Sequence, residues 1–259
     1  MTSDTLPPKP KRFLWIWLLF AALVLILIAR NLEINFTTLI WGYQDIIEYF
    51  SRYGRPDFSE WRHYSALMLQ TIAIAFWGTV LAFAIGFALA PFASLALTPG
   101  KISHQTARET LNFLRAVPDL MLALIFVSSI GLGPLPGILA LGFHTGGFLG
   151  KFFSESLDCV PHGKYDAIAA VGANFPQRVM FAGWPSVMRE TAGYTLYIFD
   201  RNVRMSSVLG LVGAGGIGLE LHDTLRLFNY NQATALILFL IGTIFSIDYL
   251  STFVRSKLK

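Results

Sequence analysis

The pattern in this chain that looks most like chemistry is Gly213-Ala-Gly215-Gly216-Ile-Gly218, a match to the G-x-G-x-x-G loop that cradles a dinucleotide pyrophosphate. That chemistry needs a strand before the loop, a helix after it, and an acidic residue about 20 positions on. Here the chain runs into an apolar stretch with no acid at that place. With Gly210 just ahead, the segment reads instead as a glycine-rich break at a membrane helix end, permitting tight turns and close packing. Gly100-Lys101, Gly150-Lys151 and Gly163-Lys164 are followed by Ile, Phe and Tyr, so no phosphate loop is present. Cys159 and His162 have a metal-like spacing, but two ligands do not make a site and no metal is expected. The lone Cys159 is expected as a small buried apolar residue. His162 and Asp166 enclose three residues where an acyl-transfer motif needs four. No nucleophile–base set is found, so the chain does not read as an enzyme.

Ionisable residues inside apolar runs say more. Arg115 and Asp119 are four apart, as are Asp200 and Arg204, with Arg201 beside them. On a continuous helix that spacing puts each pair on one face. An unpaired charge in hydrocarbon is costly, so such groups pair or line a wet cavity. Two readings stay open. The pairs neutralise each other and hold helices together, or an arginine borders a path for an anion.

The elements that must position these residues follow from composition. The chain has 259 residues, 54% hydrophobic and only 14% charged, with a mean hydropathy of +0.54. Soluble domains carry about 25% charge, so this is an all-α integral membrane protein. The formal charge of +4 does not indicate nucleic acid, because Lys and Arg sit at the ends of apolar runs. A crossing helix needs about 20 apolar residues. Six transmembrane helices are expected: Phe13–Ala29, Ser65–Leu97, Leu111–Ile130, Ile138–Phe153, Val187–Val208 and Asn229–Tyr249. The first is read as a retained helix and not a cleaved signal, because Arg30-Asn31 closes it without a small-residue cleavage site. Residues 1–62 then hold a tail, the first helix and an exposed, partly amphipathic stretch. Residues 63–259 form the core, with a polar loop at 154–186.

Basic residues set the expected orientation. With the N-terminus inside, inner segments carry Lys9, Lys11, Arg12, Lys101, Arg108, Lys151, Lys164, Arg178, Arg189, Arg255, Lys257 and Lys259. Outer segments carry only Arg30, Arg52, Arg55, Arg62 and Arg226. Both termini are therefore expected in the cytoplasm.

The polar loop reads Lys164-Tyr165-Asp166-Ala167-Ile168-Ala-Ala-Val-Gly172 and continues to Ala182-Gly-Trp184-Pro185. It resembles the "EAA" loop of ABC importer permeases, with Asp166, Ala167, Gly172 and Pro185 in register. Asp166 stands for Glu, Ile168 for the second Ala, Ala182 for Ile and Trp184 for Leu. Arg115-Ala-Val-Pro118, Gly131-Leu-Gly-Pro134, Asn202-Val-Arg204 and Gly210 to Gly218 look like the methionine-importer-like permease fold. Within it they are most similar to phosphonate importer permeases, as are Arg55-Pro-Asp-Phe-Ser59, Gln70-Thr71 and Gly78-Thr79. The resemblance implies a cytoplasmic coupling helix in the loop and an inner-membrane homodimer. It also implies two ATPase subunits carrying ATP and Mg, an extracytoplasmic binding protein, and no cofactor on this chain. The implied cargo is phosphonate, phosphite or a phosphate ester; the alternatives are a permease for methionine or another small solute, and an ATP-independent secondary transporter.

Overall fold

The computed structural model describes residues 11–31 and 41–258, and among these all regular structure is helical. The expected basic flank residue Lys9 and the terminal Lys259 lie outside the described residues. The chain divides into two compact units between Arg52 and Tyr53. In the first, α1 (Lys11–Asn31) exposes Trp15, Trp17, Phe20 and most of its other described apolar side chains. An all-round apolar helix of this kind is built for lipid or for burial, not for water. After it, α2 (Tyr43–Ser51) buries no residue.

The second unit holds α3 (Trp61–Ala93), α4 (Lys101–Ala116), α5 (Asp119–Ile130), α6 (Pro134–Asp158) and α7 (His162–Ala170). One helical turn, α8 (Phe175–Arg178), follows, then a π-helical segment, Val179–Gly183. It closes with α9 (Trp184–Gly210), α10 (Ile217–Arg226) and α11 (Tyr230–Leu258). Helices α3 and α6 make the most extensive contact, and α9 lies against both. Glycine is the reason α3 and α6 come so close: a Cβ on Gly86 would lie 2.8 Å from the Gly150 backbone nitrogen. Beside that contact Phe87 stacks on Trp184 at 4.1 Å, and Phe153 meets the same indole edge-on at 5.9 Å. Asp158 at the end of α6 holds the other end of the pair, accepting from the Ser94 hydroxyl at 2.6 Å and the Ala96 N–H at 3.1 Å.

Six membrane-crossing helices are not found. Among the described residues two helices are long and apolar enough, Trp61–Ala93 and Tyr230–Lys257. A third arises only if α4 and α5 are counted as one crossing, and these are bent by 83°. The expected span Leu111–Ile130 fails as one helix because Pro118 pushes Val117 into extended backbone, at φ −81° and ψ 120°. The expected span Val187–Val208 lies in α9, which carries Arg189, Glu190, Asp200, Arg201 and Arg204, too many charges for a lipid-facing helix. Ile138–Phe153 lies in α6, whose glycines and polar side chains are buried against neighbouring helices. The first is apolar only over the shorter stretch Trp15–Asn31. Cys159 is also a correction: it is exposed, at the polar end of α6, and not a buried apolar residue.

The Gly86–Gly150 contact leaves no room for a side chain. Gly86→Leu is expected to destabilise by about 1–3 kcal/mol, the scale of overpacking. A thermal midpoint measured on the detergent-solubilised variant, unchanged from wild type, would contradict this.

Candidate functional site

The break between α4 and α5 organises the charged residues. Asp119 begins α5 beyond the break while Arg115 ends α4 before it, so the two are not on one helix face. Arg115 donates instead to Asn112 Oδ1 at 2.8 Å. Asp119 faces Arg201 of α9 at 3.7 Å, with Asp119 12% and Arg201 29% exposed at their side chains. The second expected pair forms as the spacing required: Arg204 donates to Asp200 at 2.7 Å, with the Asp200 side chain only 4% exposed.

His144 of α6, a residue the spacing arguments passed over, joins these parts. Its Nδ1 lies 2.8 Å from the Val117 carbonyl at the break, and its Nε2 lies 3.4 Å from Arg201 Nη2. Because Val117 offers only an acceptor, Nδ1 carries the proton and Nε2 accepts from Arg201. The Arg201 guanidinium also lies 5.5 Å from the Phe148 ring centre. Thus the exposed peptide of the break, α6, α9 and the start of α5 are tied through one histidine and one ion pair. The available signal was a lone histidine inside a glycine-rich apolar run.

The next residue of α9, Asn202, links three helices. Its amide nitrogen donates to Thr79 of α3 at 3.0 Å and to Thr145 of α6 at 3.3 Å, and all three residues are buried. Both threonines also donate to their own helix backbones.

The glycine-rich segment packs where several quoted motifs meet. Gly213, Gly215 and Gly216 take φ of +94°, +80° and +75°, a region that favours glycine. Gly210 and Gly218 face each other so closely that a Cβ on Gly210 would lie 2.7 Å from the Gly218 Cα. The Gly216 and Ile217 N–H groups donate to Gln70 Oε1 at 3.3 Å and Thr71 Oγ1 at 2.9 Å. The Gly133 N–H donates to the Gly213 carbonyl at 3.0 Å. The Gly216 and Ile217 nitrogens at the start of α10 are thus taken by Gln70 and Thr71 side chains of α3, where a dinucleotide loop would present them to a pyrophosphate.

The polar loop is a short helix on a fixed base. Asp166 and Ala167 are exposed on α7, while Tyr165 between Lys164 and Asp166 is buried and donates to the Leu157 carbonyl at 2.8 Å. Burial, and then the Asp158 charge, push the Tyr165 hydroxyl up to about 12, so it stays a donor at any physiological pH. Gly172 turns the chain at φ +83°, and an Asn174–Gln177 capping box starts the next turn. Pro185 sits in the first turn of α9, where its missing N–H costs nothing. Among the described residues no group of three His, Cys, Asp or Glu could hold a metal ion.

Removing one partner of a half-buried ion pair strands the other, at a cost of about 3–5 kcal/mol for fully buried pairs and less here. Asp119→Ala is expected to lower the thermal midpoint more than the double change Asp119→Leu, Arg201→Met. Equal losses in the two proteins would show that the pair carries no such coupling.

Comparison with known proteins agrees with this architecture. The family model for binding-protein-dependent transport system inner membrane components matches residues 82–259. The chain is 36% identical over 223 residues to the phosphite transport system permease protein PtxC of Stutzerimonas stutzeri, covering 86% of this chain and 81% of that one. It is 34% identical over 219 residues to the phosphate-import permease protein PhnE of Mycolicibacterium smegmatis, covering 85% of this chain but 41% of that one. Its fold is similar to a chain of the MetNI methionine ABC transporter in an inward-facing conformation, with a TM-score of 0.66 and 20% identity. That likeness covers 78% of this chain and 99% of the other. With the match running from within α3 through the broken helix, the loop and α11, the chain belongs to the family of binding-protein-dependent transport system inner membrane components and is a transport permease.

Proposed function

We propose that this permease imports phosphorus oxyanions, phosphonate, phosphite or phosphate ester, in an ATP-driven system fed by a binding protein outside the membrane. The observation that carries the reading is the 36% identity, over 86% of the chain, to a permease named for phosphite transport. The assembly would hold two copies of this chain, two ATPase subunits binding ATP and Mg, and the binding protein. The permease core would be residues 63–259, with residues 1–62 as an added N-terminal portion. Both termini and the loop 154–186 would face the cytoplasm, a placement supported by the basic residues that flank the apolar runs.

In this reading α7 is the coupling helix. Asp166 and Ala167 face outward from it, where an ATPase groove could take them. Gly172 and Pro185 set the turns that bound the loop. A push on α7 reaches the bundle through Tyr165, Val179 and Trp184, which share one apolar cluster with Phe153 and Leu157 of α6. At the far end of α9, the Asp119–Arg201 and Asp200–Arg204 pairs border the path. The glycines 210, 213, 215, 216 and 218 fix the break beyond it. Chemistry at the cargo is not required, since alternating exposure moves an anion without changing its bonds.

The experiment is uptake into proteoliposomes holding the permease with its ATPase, fed methylphosphonate, phosphite or methionine through the matching binding proteins. ATP-dependent uptake of a phosphorus oxyanion is the expected result, and uptake of methionine alone would overturn the cargo assignment. Asp166→Lys and Gly172→Trp are expected to cut uptake about tenfold or more, the scale of a coupling energy. The thermal midpoint of Asp166→Lys should stay near wild type, because the position is exposed, whereas Gly172→Trp also strains a turn held at φ +83° and should lower its midpoint. Undiminished uptake by both variants would remove α7 from the coupling role.

A further inference from the structure

A cavity of about 300 Å³ between α4 and α6 is lined by Arg108, Glu109, Asn112, Arg115, Lys151 and Ser154, together with Leu111. Its position follows from two glycines. A Cβ on Gly147 would lie 2.8 Å from the Leu111 carbonyl oxygen and 2.9 Å from the Arg115 nitrogen, and one on Gly150 would overlap the Leu111 side chain. With the two backbones in contact, the long side chains on either side converge over the seam. Three cations meet there, each partly buried.

Their compensation is incomplete. Lys151 shares Glu155 at 3.6 Å, and Glu109 is exposed on the rim, so the cluster keeps one net positive charge. The Arg108 side chain makes no hydrogen bond or ion pair among the described residues. Arg115 donates one Nη2 hydrogen to Asn112 Oδ1, which turns that amide's oxygen inward to protein and leaves its two N–H donors unused. Ser154 spends its hydroxyl hydrogen on the Lys151 carbonyl at 2.8 Å. The cavity thus presents two guanidinium forks, an ammonium and an amide donor. Guanidinium forks match the paired oxygens of a tetrahedral anion, and a partly desolvated setting strengthens each contact.

We propose that this cavity is a binding station for a phosphorus oxyanion, held by Arg108, Arg115, Lys151 and the Asn112 amide. The proposal rests on the phosphorus-oxyanion reading above and adds the place where the anion pauses. Arg115 stands two residues before the extended Val117, so an anion here ties the end of α4 to α6 on one side of the break. His144 and the Asp119–Arg201 pair tie the other side. Occupancy would therefore bear on the angle between α4 and α5.

The test uses the permease–ATPase complex in nanodiscs of neutral phosphatidylcholine, without ATP or binding protein. Phosphite and methylphosphonate binding is read from phosphorus NMR line broadening. Saturable binding is expected, with affinity falling about tenfold or more in Arg108→Gln, Lys151→Gln, as charged hydrogen bonds are lost. Arg108→Lys should retain part of the affinity. The thermal midpoint checks that each variant is folded. Absent binding in wild type, or equal affinity in the double variant, overturns the station. Repeating the titration with phosphatidylglycerol separates the two sources of phosphate. Retained binding supports the free anion, while loss of the probe to the lipid, with uptake by the double variant intact, overturns it in favour of a headgroup site. Uptake in parallel vesicles keeps the two readings apart. Normal phosphite uptake with unaltered binding in the variants sinks the station alone. Wild-type vesicles that import no phosphorus oxyanion sink the cargo assignment, and the binding titration still decides whether the cavity takes the anion.

Discussion

The backbone contact between α3 and α6 is the constraint on which the remaining structure depends. Helices carrying ordinary side chains pack at about 8–10 Å between axes, and glycine at the crossing permits a closer approach. Gly86 and Gly150 provide it. That approach brings Thr79 and Thr145 within reach of one amide, Asn202. It also brings Phe87 face-on and Phe153 edge-on to one indole, Trp184. A bulkier seam would separate the threonines and open the aromatic pocket, so the polar link and the apolar anchor of α9 share one cause.

Low dielectric then sorts the charges. A carboxylate at the start of α5 must find a cation, and the bend at Val117-Pro118 removes Arg115 from consideration. Arg201 supplies the partner, and His144 links the two parts, donating from Nδ1 to the Val117 carbonyl of the break and accepting from the same guanidinium at Nε2. The arrangement satisfies the backbone group that the break leaves without a helical partner, which membrane helices require.

Much of this was legible in the residues themselves. The helical character followed from composition, the Asp200–Arg204 pair from its four-residue spacing, and the glycine segment from its lack of an acidic partner. At the loop, the register of Asp166, Ala167, Gly172 and Pro185 agrees with the short helix and glycine turn found there. What failed had identifiable physical causes. The Arg115–Asp119 pairing assumed a continuous helix across Pro118, although the proline was in plain view. Counting six spans weighed α6 and α9 by apolar content along the chain, whereas Thr145, Ser154, Asp200 and Asn202 on them are sheltered by other helices. Such shelter is a tertiary property that no hydropathy window reports. Trp184 looked like a departure from a motif, but its partners Phe87 and Phe153 lie 97 and 31 positions away and come together only in the folded bundle.

The placement of Trp184 gives α9 the geometry of a lever. From Trp184 to Arg201 is 17 residues, about 25 Å of helix at 1.5 Å per residue. The indole, held by one stacked and one edge-on ring, would serve as the fulcrum, and the π-helical segment before it lies on the loop side. A tilt of about 10° at the fulcrum displaces the far end by about 4 Å on this arm. That exceeds the 3.7 Å spacing of the Asp119–Arg201 pair. A slight rotation at the loop would on this arm be amplified into a contact either made or broken, so that graded motion at one end would become a binary state at the other.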